Sequence, residues 1–293
     1  MTMDAAYDKI HYDAIIVGAG FSGMRMLHLL RNQGYSVRLI EAGDSVGGTW
    51  YWNRYPGARS DFPTEYYCYT GLDEVNKEWT WTAPYPDQSE ILAYFNFVAD
   101  KLDLRKDIQF NTRMTSATYD DSTKRWQVGT DDGERVSTRF LIPALGNVAV
   151  ANWPEIDGLQ DFAGEIYHTS QWPHEKVDLS GKRVAVIGTG STGVQVITTI
   201  VDEVERLTVF QRTPQYVTPV SNPARTPEET DAIKQSYGDL KQRIRTNITG
   251  AGFELTRAYS ALEDSPEERT SRTLLGSPLP GVRPRDSARC PRR

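Results

Sequence analysis

The sequence predicts an α/β fold in which two βαβ units each contain a glycine-rich loop. The first loop, residues 18–23, reads GAGFSG, follows a short apolar run and opens a segment with helical spacing. The second loop, residues 188–193, reads GTGSTG and has the same flanks. A glycine loop between a strand and a helix N-terminus is typical of pyrophosphate binding. We therefore predict two Rossmann-like dinucleotide-binding domains.

The elements can be assigned in order along the chain. In the first unit we expect a strand at 13–17, a helix at 22–33 that stops at Gly34, and a strand at 35–40. Residues 87–90 (DQSE) resemble a capping box before a helix at 91–102. A small antiparallel excursion follows, with strands at 112–119, 125–128 and 135–141. The second unit has a strand at 183–187, a helix from 191 to about 203 and a strand at 207–211, and a last helix is expected at 226–245.

The residues that follow the second strand of each unit differ in charge. Glu41 lies 23 residues after Gly18, and Arg212 lies 24 residues after Gly188. An acid at this place accepts hydrogen bonds from ribose hydroxyls, whereas a base attracts the 2′-phosphate of NADP. We therefore predict FAD in the first domain and NADPH in the second. The predicted boundaries are 1–146 for the FAD domain, 147–180 for a linker, 181–222 for the NADPH domain, 223–270 for the start of a helical region and 271–293 for a tail.

Composition excludes several classes of protein. The 293 residues carry a formal charge of −6, which argues against nucleic acid as the main partner. The only cysteines, Cys68 and Cys290, form neither a disulfide framework nor a CxxC pair. Four histidines without ligand spacing predict no metal site. Without an apolar signal segment or a membrane-spanning run, we expect a cytoplasmic protein with no membrane partner; the oligomeric state is left open.

The last stretch has a different composition. Residues 272–293 contain six arginines, four prolines and a single acid. Two explanations stay open, a disordered basic tail or out-of-frame translation of a GC-rich gene, and we favour the second. The gene sequence downstream of codon 271 distinguishes them.

Two longer strings carry a family resemblance. Residues 47–61 read GGTWYWNRYPGARSD, and residues 162–173 read FAGEIYHTSQWP. They resemble the GGxWxxxxYPGxxxD and FxGxxxHxxxWP patterns of the type I Baeyer–Villiger monooxygenases. The resemblance runs from about residue 12 to about residue 265, so the chain looks like the N-terminal part of such an enzyme, with the C-terminal portion missing.

The resemblance implies roles for matching residues. His168 would couple the two domains, and the carboxylate of Asp61 would position an active-site arginine that lies past residue 293 in the family. The residues implied around FAD are Gly18, Gly20, Phe21, Ser22, Gly23, Glu41, Gly48, Thr49, Trp50, Asn53, Asp61 and Tyr67. The residues implied around NADPH are Thr189, Gly190, Ser191, Thr192, Gly193, Gln195, Arg212 and Thr213.

The family reaction suggests what the whole protein does. NADPH reduces FAD, the reduced flavin forms a C4a-peroxyflavin with O2, and a ketone becomes an ester or lactone. Because the family's arginine and substrate wall have no match here, we expect weak FAD binding and inefficient oxygenation. Pro63, where close members commonly have an acid, is a further departure.

Three other functions compete with this one. An N- or S-oxidising flavin monooxygenase is the enzymatic alternative, and an inactive truncated product is the non-enzymatic one. A flavin disulfide reductase would need a CxxxxC pair, which the sequence lacks. The sequence does not specify the ketone.

Overall fold

The computed structural model describes residues 11–215, 217, 219–247 and 265. The predictions for the tail at 271–293 lie outside these residues. The chain divides into two compact units. The first, residues 1–215 and 222–238, contains both sheets and both glycine loops. The second, residues 216–221 and 239–293, is described only at 217, 219–221, 239–247 and 265. The predicted domain boundaries stay a prediction.

A six-stranded sheet forms the centre of the first unit. Its strands lie in the order β3-β2-β1-β6-β5-β4; β3, β2, β1 and β6 are parallel, and β5 and β4 continue antiparallel. The bounds are β1 His11–Val17, β2 Val37–Ile40, β3 Ile108–Gln109, β4 Met114–Asp120, β5 Arg125–Thr130 and β6 Arg135–Pro143. The predicted antiparallel excursion is confirmed, and its last strand returns to the parallel core beside β1.

Four helices accompany this sheet. They are α1 Phe21–Asn32, α2 Thr49–Trp52, α3 Asp73–Glu78 and α4 Gln88–Lys101. Helix α4 buries Ile91, Tyr94, Phe95 and Val98, a 3.6-residue periodicity that places one face in the core. Each such side chain contributes about 1.5–3 kcal/mol by leaving water.

The capping box predicted at the start of α4 is only half formed. The Asp87 carboxylate accepts a hydrogen bond from the Glu90 backbone N–H at 2.9 Å, as predicted. The Glu90 carboxylate does not reach back to Asp87. It accepts hydrogen bonds from the backbone N–H and the hydroxyl of Thr82, both at 2.7 Å. Two donors on one neighbouring residue compete successfully with the single N–H of the cap.

The second βαβ unit is smaller. Strands β7 Arg183–Ile187 and β8 Arg206–Phe210 pair in parallel, and α5 Ser191–Ile200 connects them. Helix α5 buries Val196 and Ile200, together with Leu179 from the loop before β7. Both predicted strands and the helix are confirmed, although β8 starts and ends one residue earlier than predicted and α5 ends three residues earlier.

A final segment leads into α6, Pro227–Thr246. Before the helix, the Asn222 side chain exchanges two hydrogen bonds with the backbone of Tyr85, both at 2.9 Å. The nearly buried Arg225 lies 2.8 Å from the Glu65 carboxylate without hydrogen-bond geometry, so the attraction is Coulombic. These contacts hold residues 222–225 against the loop that precedes α4.

Candidate dinucleotide-binding sites

The first glycine loop is shaped by close backbone contacts. Gly18 has a φ of +105°, and its N–H donates to the Ile40 carbonyl at 2.8 Å. A Cβ at Gly18 would lie 2.6 Å from the Ala144 carbonyl oxygen. A Cβ at Gly23 would overlap the Gly18 carbonyl oxygen. Only glycine fits either position, so the turn from β1 into α1 depends on both residues.

A second loop crosses directly over the first. Gly48 has a φ of +53°, and a Cβ there would lie 2.8 Å from the Gly20 Cα. The Gly47 N–H donates to the Ala19 carbonyl at 3.0 Å. Backbone therefore approaches backbone at Gly20 and Gly48, and α2 begins at this contact.

The Glu41 carboxylate fixes the loop from the end of β2. One oxygen accepts the Ala19 N–H at 2.6 Å, and the other accepts the Gly43 N–H at 2.8 Å. The residue is buried, with 4% of its surface exposed. The sequence predicted Glu41 beside this loop, and the structure places it there. Each carboxylate oxygen retains a further lone pair for a ribose hydroxyl.

The helix N-termini at the two glycine loops differ from that of α4. Gly20 precedes α1 and Gly190 precedes α5; neither helix start has a side-chain cap or an acid in its first turn. By contrast, the α4 terminus is capped by Asp87 and followed by Glu90. The first N–H groups of a helix lack intrahelical partners and attract anions. Both uncapped termini therefore fit a pyrophosphate.

Aromatic side chains line the loop side of α1. The Trp50 indole N–H donates to the Tyr67 hydroxyl oxygen at 3.0 Å. The Phe21 ring meets the Tyr67 ring edge-on, with centroids 5.0 Å apart. Burial raises the pKa of Tyr67, the hydrogen bond from Trp50 opposes this, and the negative charge of Asp61 raises it further. Three predicted FAD residues thus form one cluster with Asp61 nearby.

The remaining residues predicted near FAD lie along the same loop. Thr49 begins α2, and the Asn53 side chain closes that helix by donating to the Thr49 carbonyl at 2.8 Å. Asp61 is exposed, and its charge also raises the pKa of Tyr55 after the larger effect of burial. Ser22 lies in the first turn of α1. Their roles toward FAD stay predictions.

The second glycine loop repeats the first with a constant offset of 170 residues. Gly188 has a φ of +104°, and its N–H donates to the Phe210 carbonyl at 2.9 Å, as Gly18 does to Ile40. A Cβ at Gly193 would overlap the Gly188 carbonyl oxygen, which repeats the contact of Gly23. Both units therefore have the same strand–loop–helix geometry.

This offset makes Gln211, not Arg212, the structural counterpart of Glu41. Gln211 donates from its side-chain amide to the Thr189 hydroxyl at 3.0 Å, at the position where Glu41 accepts the Ala19 backbone N–H in the first loop. Arg212 and Thr213 follow, are exposed, and make no hydrogen bond or ion pair within the described residues. The charge pattern predicted Arg212 at this place, whereas the offset between Gly18 and Gly188 identifies Gln211.

Gln195, predicted to bind NADPH, is held by a different part of the chain. Its side-chain oxygen accepts from the Tyr55 hydroxyl at 2.9 Å, and its amide donates to the Arg59 carbonyl at 3.1 Å. The Tyr55 hydroxyl also lies 3.5 Å from the Thr192 hydroxyl. The loop at 55–59 therefore contacts α5, and the role of Gln195 toward NADPH stays a prediction.

A comparison with protein families agrees with this geometry. The model described as "Pyridine nucleotide-disulphide oxidoreductase" matches residues 15–249, which include both glycine loops. The chain belongs to the pyridine nucleotide-disulphide oxidoreductase family.

The relatives that this chain resembles include proteins named as monooxygenases. A Baeyer–Villiger monooxygenase of Pseudooceanicola batsensis is 45% identical over 262 residues, which cover 88% of this chain and 47% of the relative. A phenazine N-monooxygenase, PhzNO1, of Lysobacter antibioticus is 41% identical over 263 residues, covering 89% and 48%. The chain spans about half the length of the curated relatives it matches.

Solved structures of similar proteins share the fold. Cyclohexanone monooxygenase from Rhodococcus sp. Phi1 bound to NADP+ has a TM-score of 0.84 and 44% identity, covering 89% of this chain and 49% of that one. An OTEMO complex with FAD and NADP has a TM-score of 0.79 and 41% identity, covering 82% and 46%. The predicted α/β fold and the resemblance to Baeyer–Villiger monooxygenases are confirmed, as are FAD and NADP as cofactors of the family.

The family name includes disulfide chemistry, for which this member has no cysteine pair. Cys68 and Cys290 are 222 positions apart, and no CxxxxC motif occurs. Burial raises the pKa of the Cys68 thiol to about 12, and its sulfur contacts the Glu65 carbonyl and the Tyr237 hydroxyl. A thiol that stays protonated is a poor nucleophile. Cys68 is therefore a structural residue.

His168, from the family fingerprint, has contacts within the linker. Its Nδ1 accepts the Ser170 N–H at 3.2 Å and so caps the short 3₁₀ turn Thr169–Gln171. Its ring lies against the Trp153 ring, with centroids 5.0 Å apart. Coupling between domains through His168 stays a prediction.

The described residues contain no group of three or more histidine, cysteine or acidic side chains arranged to hold a metal ion. No helix in this part of the chain has the length and apolar character needed to cross a bilayer.

Proposed function

We propose that the protein is an FAD- and NADPH-dependent monooxygenase that inserts one oxygen atom of O2 into a ketone to give an ester or lactone. The observation that carries this proposal is the repeated loop geometry with different residues at one equivalent position. Glu41 supplies an anionic acceptor at the first loop, and Gln211 supplies a neutral amide at the second. The first site suits a free ribose, and the second tolerates a phosphate.

The chain's residues hold the two cofactors in this proposal. The uncapped N-termini of α1 and α5 bind the pyrophosphates, and the Glu41 carboxylate accepts from the FAD ribose. Exposed Arg212, next to Gln211, attracts the 2′-phosphate of NADPH. The bound cofactors supply hydride transfer and the activation of O2 by reduced flavin.

The aromatic cluster has a separate role. Trp50, Tyr67 and Phe21 exclude water from one side of the predicted flavin position, and the hydrogen bond between Trp50 and Tyr67 fixes their orientation. Asp61 places a negative charge next to this cluster, where it orients a cationic group. A cytoplasmic location belongs to the same proposal and is supported by the low cysteine count.

A second candidate is N-oxidation. It is favoured by the 41% identity to a phenazine N-monooxygenase, which is close to the identity of the ketone-oxidising relative. Both reactions use the same two cofactors, so the nucleotide loops do not separate them.

The test measures cofactor binding first and product identity second. The chain is titrated with FAD while flavin fluorescence is followed, and FAD-loaded protein is then given NADPH, O2 and one of three substrates: a cyclic ketone, a phenazine or a thioether. A lactone from the ketone supports the proposal. An N-oxide without lactone supports the second candidate, and bound flavin with no product supports a nucleotide-binding protein without activity. Failure to bind FAD refutes the assignment of the first loop.

A further inference from the structure

One loop contacts both nucleotide-binding units and has no role assigned so far. Residues 55–59 (YPGAR), here called the connector loop, follow α2 and lie against α5. Gly57 has a φ of +80°. A Cβ on it would overlap the Thr199 hydroxyl and lie 2.5 Å from the Gln195 carbonyl oxygen. The connector backbone is therefore in direct contact with helix α5, and no larger residue fits there.

Hydrogen bonds reinforce this contact. The Gln195 side chain accepts from the Tyr55 hydroxyl at 2.9 Å and from the Arg59 N–H at 3.4 Å, and it donates to the Arg59 carbonyl at 3.1 Å. The Tyr55 ring packs against the apolar cluster beneath α5 that contains Val196 and Ile200. The Gln195 side chain of α5 thus forms hydrogen bonds with both ends of the connector loop.

The connector loop is also held by hydrogen bonds to the first nucleotide-binding unit. The Ala58 carbonyl accepts the Gln88 N–H at 2.8 Å, next to the capped start of α4. Ser60, which follows the loop, donates its N–H to the Pro86 carbonyl at 3.0 Å. On its other side the loop follows α2, which starts at the contact between Gly48 and Gly20 of the first glycine loop.

These contacts form a continuous path between the two glycine loops. It runs from Gly20 through Gly48 and α2 to the connector loop, where the Tyr55 hydroxyl contacts both Gln195 and Thr192 of α5. We propose that the connector loop couples the two sites, so that FAD in the first glycine loop strengthens the binding of NADP(H) at the second. This inference rests on the proposed function, and the coupling must be reciprocal.

The physical reason is the cost of ordering. A dinucleotide at the first loop holds Gly20 and Gly48 in place and removes motion from the connector loop. Helix α5 then loses less conformational entropy when NADP(H) binds at its N-terminus, so the affinity for NADP(H) is higher. Coupling of this kind typically changes affinity about 5- to 150-fold.

Two variants interrupt the path without replacing a residue that is predicted to bind a cofactor. Tyr55→Phe removes only the hydroxyl that binds Gln195, and Gly57→Ala forces the loop away from α5. Each has a matched control. Tyr35→Phe removes an exposed hydroxyl, and Gly133→Ala introduces the same backbone strain at a φ of +88° where a Cβ meets nothing within 4 Å.

The measurement is the dissociation constant of NADP+ by titration calorimetry, for the full chain with and without saturating FAD. We expect FAD to lower that constant at least about 5-fold in the unaltered chain. We expect less than about 2-fold in Tyr55→Phe, no effect in Gly57→Ala and the full effect in both controls. FAD affinity itself should be similar in Tyr55→Phe and the unaltered chain.

Several outcomes overturn the inference. Equal NADP+ affinity with and without FAD in the unaltered chain refutes coupling, while the proposed function survives because both cofactors still bind. Full coupling in Tyr55→Phe and Gly57→Ala refutes the path, as does an equal loss in Gly133→Ala. If Gly57→Ala fails to fold by circular dichroism, Tyr55→Phe decides alone. Loss of FAD binding by the unaltered chain refutes both the function and the coupling.

Discussion

Replacing Glu41 by glutamine tests the geometry of the first glycine loop. The change introduces the residue type that Gln211 supplies at the equivalent position of the second glycine loop. The Glu41 carboxylate accepts the Ala19 and Gly43 N–H groups at 2.6 and 2.8 Å. The amide of glutamine has one acceptor oxygen, so its NH2 group faces one of these donors. A bond to a charged acceptor contributes about 1.5–3 kcal/mol, and a neutral bond contributes about half of that.

The opposing effect is the cost of burying the charge of Glu41. Losing one bond and weakening the other destabilises the folded chain by about 3 kcal/mol. The neutral side chain recovers part of this because it is easier to remove from water. We expect a net loss of about 2 kcal/mol in the free energy of unfolding, which lowers the urea midpoint by about 1 M. We expect FAD affinity to fall about tenfold, since the loop is no longer fixed.

Urea unfolding followed by circular dichroism measures the first effect, and flavin fluorescence measures the second. Glu134→Gln is the matched control. Its carboxylate pairs with Arg38 at 2.8 Å, but both side chains are about a quarter exposed. We expect Glu134→Gln to cost less than about 1 kcal/mol. The reasoning would be refuted if Glu41→Gln lowered the free energy of unfolding by less than about 0.5 kcal/mol, or if Glu134→Gln lowered it by more than Glu41→Gln does.

Three more predictions follow from particular contacts. Gln211→Glu places a carboxylate where Gln211 contacts Thr189, so NADP+ should bind about tenfold more weakly while NAD+ changes little; an equal loss for both would contradict phosphate recognition at this loop. In a Cys290→Ser background, Cys68 should resist a thiol reagent at pH 8 until urea unfolds the chain. Because burial raises its pKa from 9.0 to about 12, the folded state keeps a proton that the unfolded state loses, and stability should decrease as pH rises above about 9; rapid labelling of folded protein would contradict this. Arg225→Met leaves Glu65 without its partner and should cost about 2 kcal/mol in urea unfolding, part of which Glu65→Gln restores in the double variant; additive losses would show that the pair does not interact.

Short-range sequence signals predicted most of the fold and the position of the first glycine loop. The glycine spacing, the apolar runs and the stop at Gly34 identified β1, α1 and β2 because each signal is contained within a few residues. The short helices α2 and α3 were not predicted, because they lie among aromatic residues without a 3.6-residue pattern and are fixed by tertiary contacts. The same limit applies to Glu90, whose choice of Thr82 over the cap depends on a loop that sequence reading does not place.

At the second glycine loop, the charge pattern identifies the counterpart of Glu41 less well than the repeated geometry does. Glu41 and Arg212 correspond only in carrying a charge, and their distances along the chain from Gly18 and Gly188, 23 and 24 residues, differ by one. The constant offset instead relates Ile40 to Phe210, whose carbonyls both accept a glycine N–H, and therefore Glu41 to Gln211. Arg212 follows Gln211, is exposed and makes no hydrogen bond or ion pair in the part of the chain that the structure describes. In the proposed function, the side chain that contacts the second glycine loop, Gln211, and the side chain that binds the 2′-phosphate, Arg212, are separate residues, and the tenfold loss expected for Gln211→Glu depends on that separation.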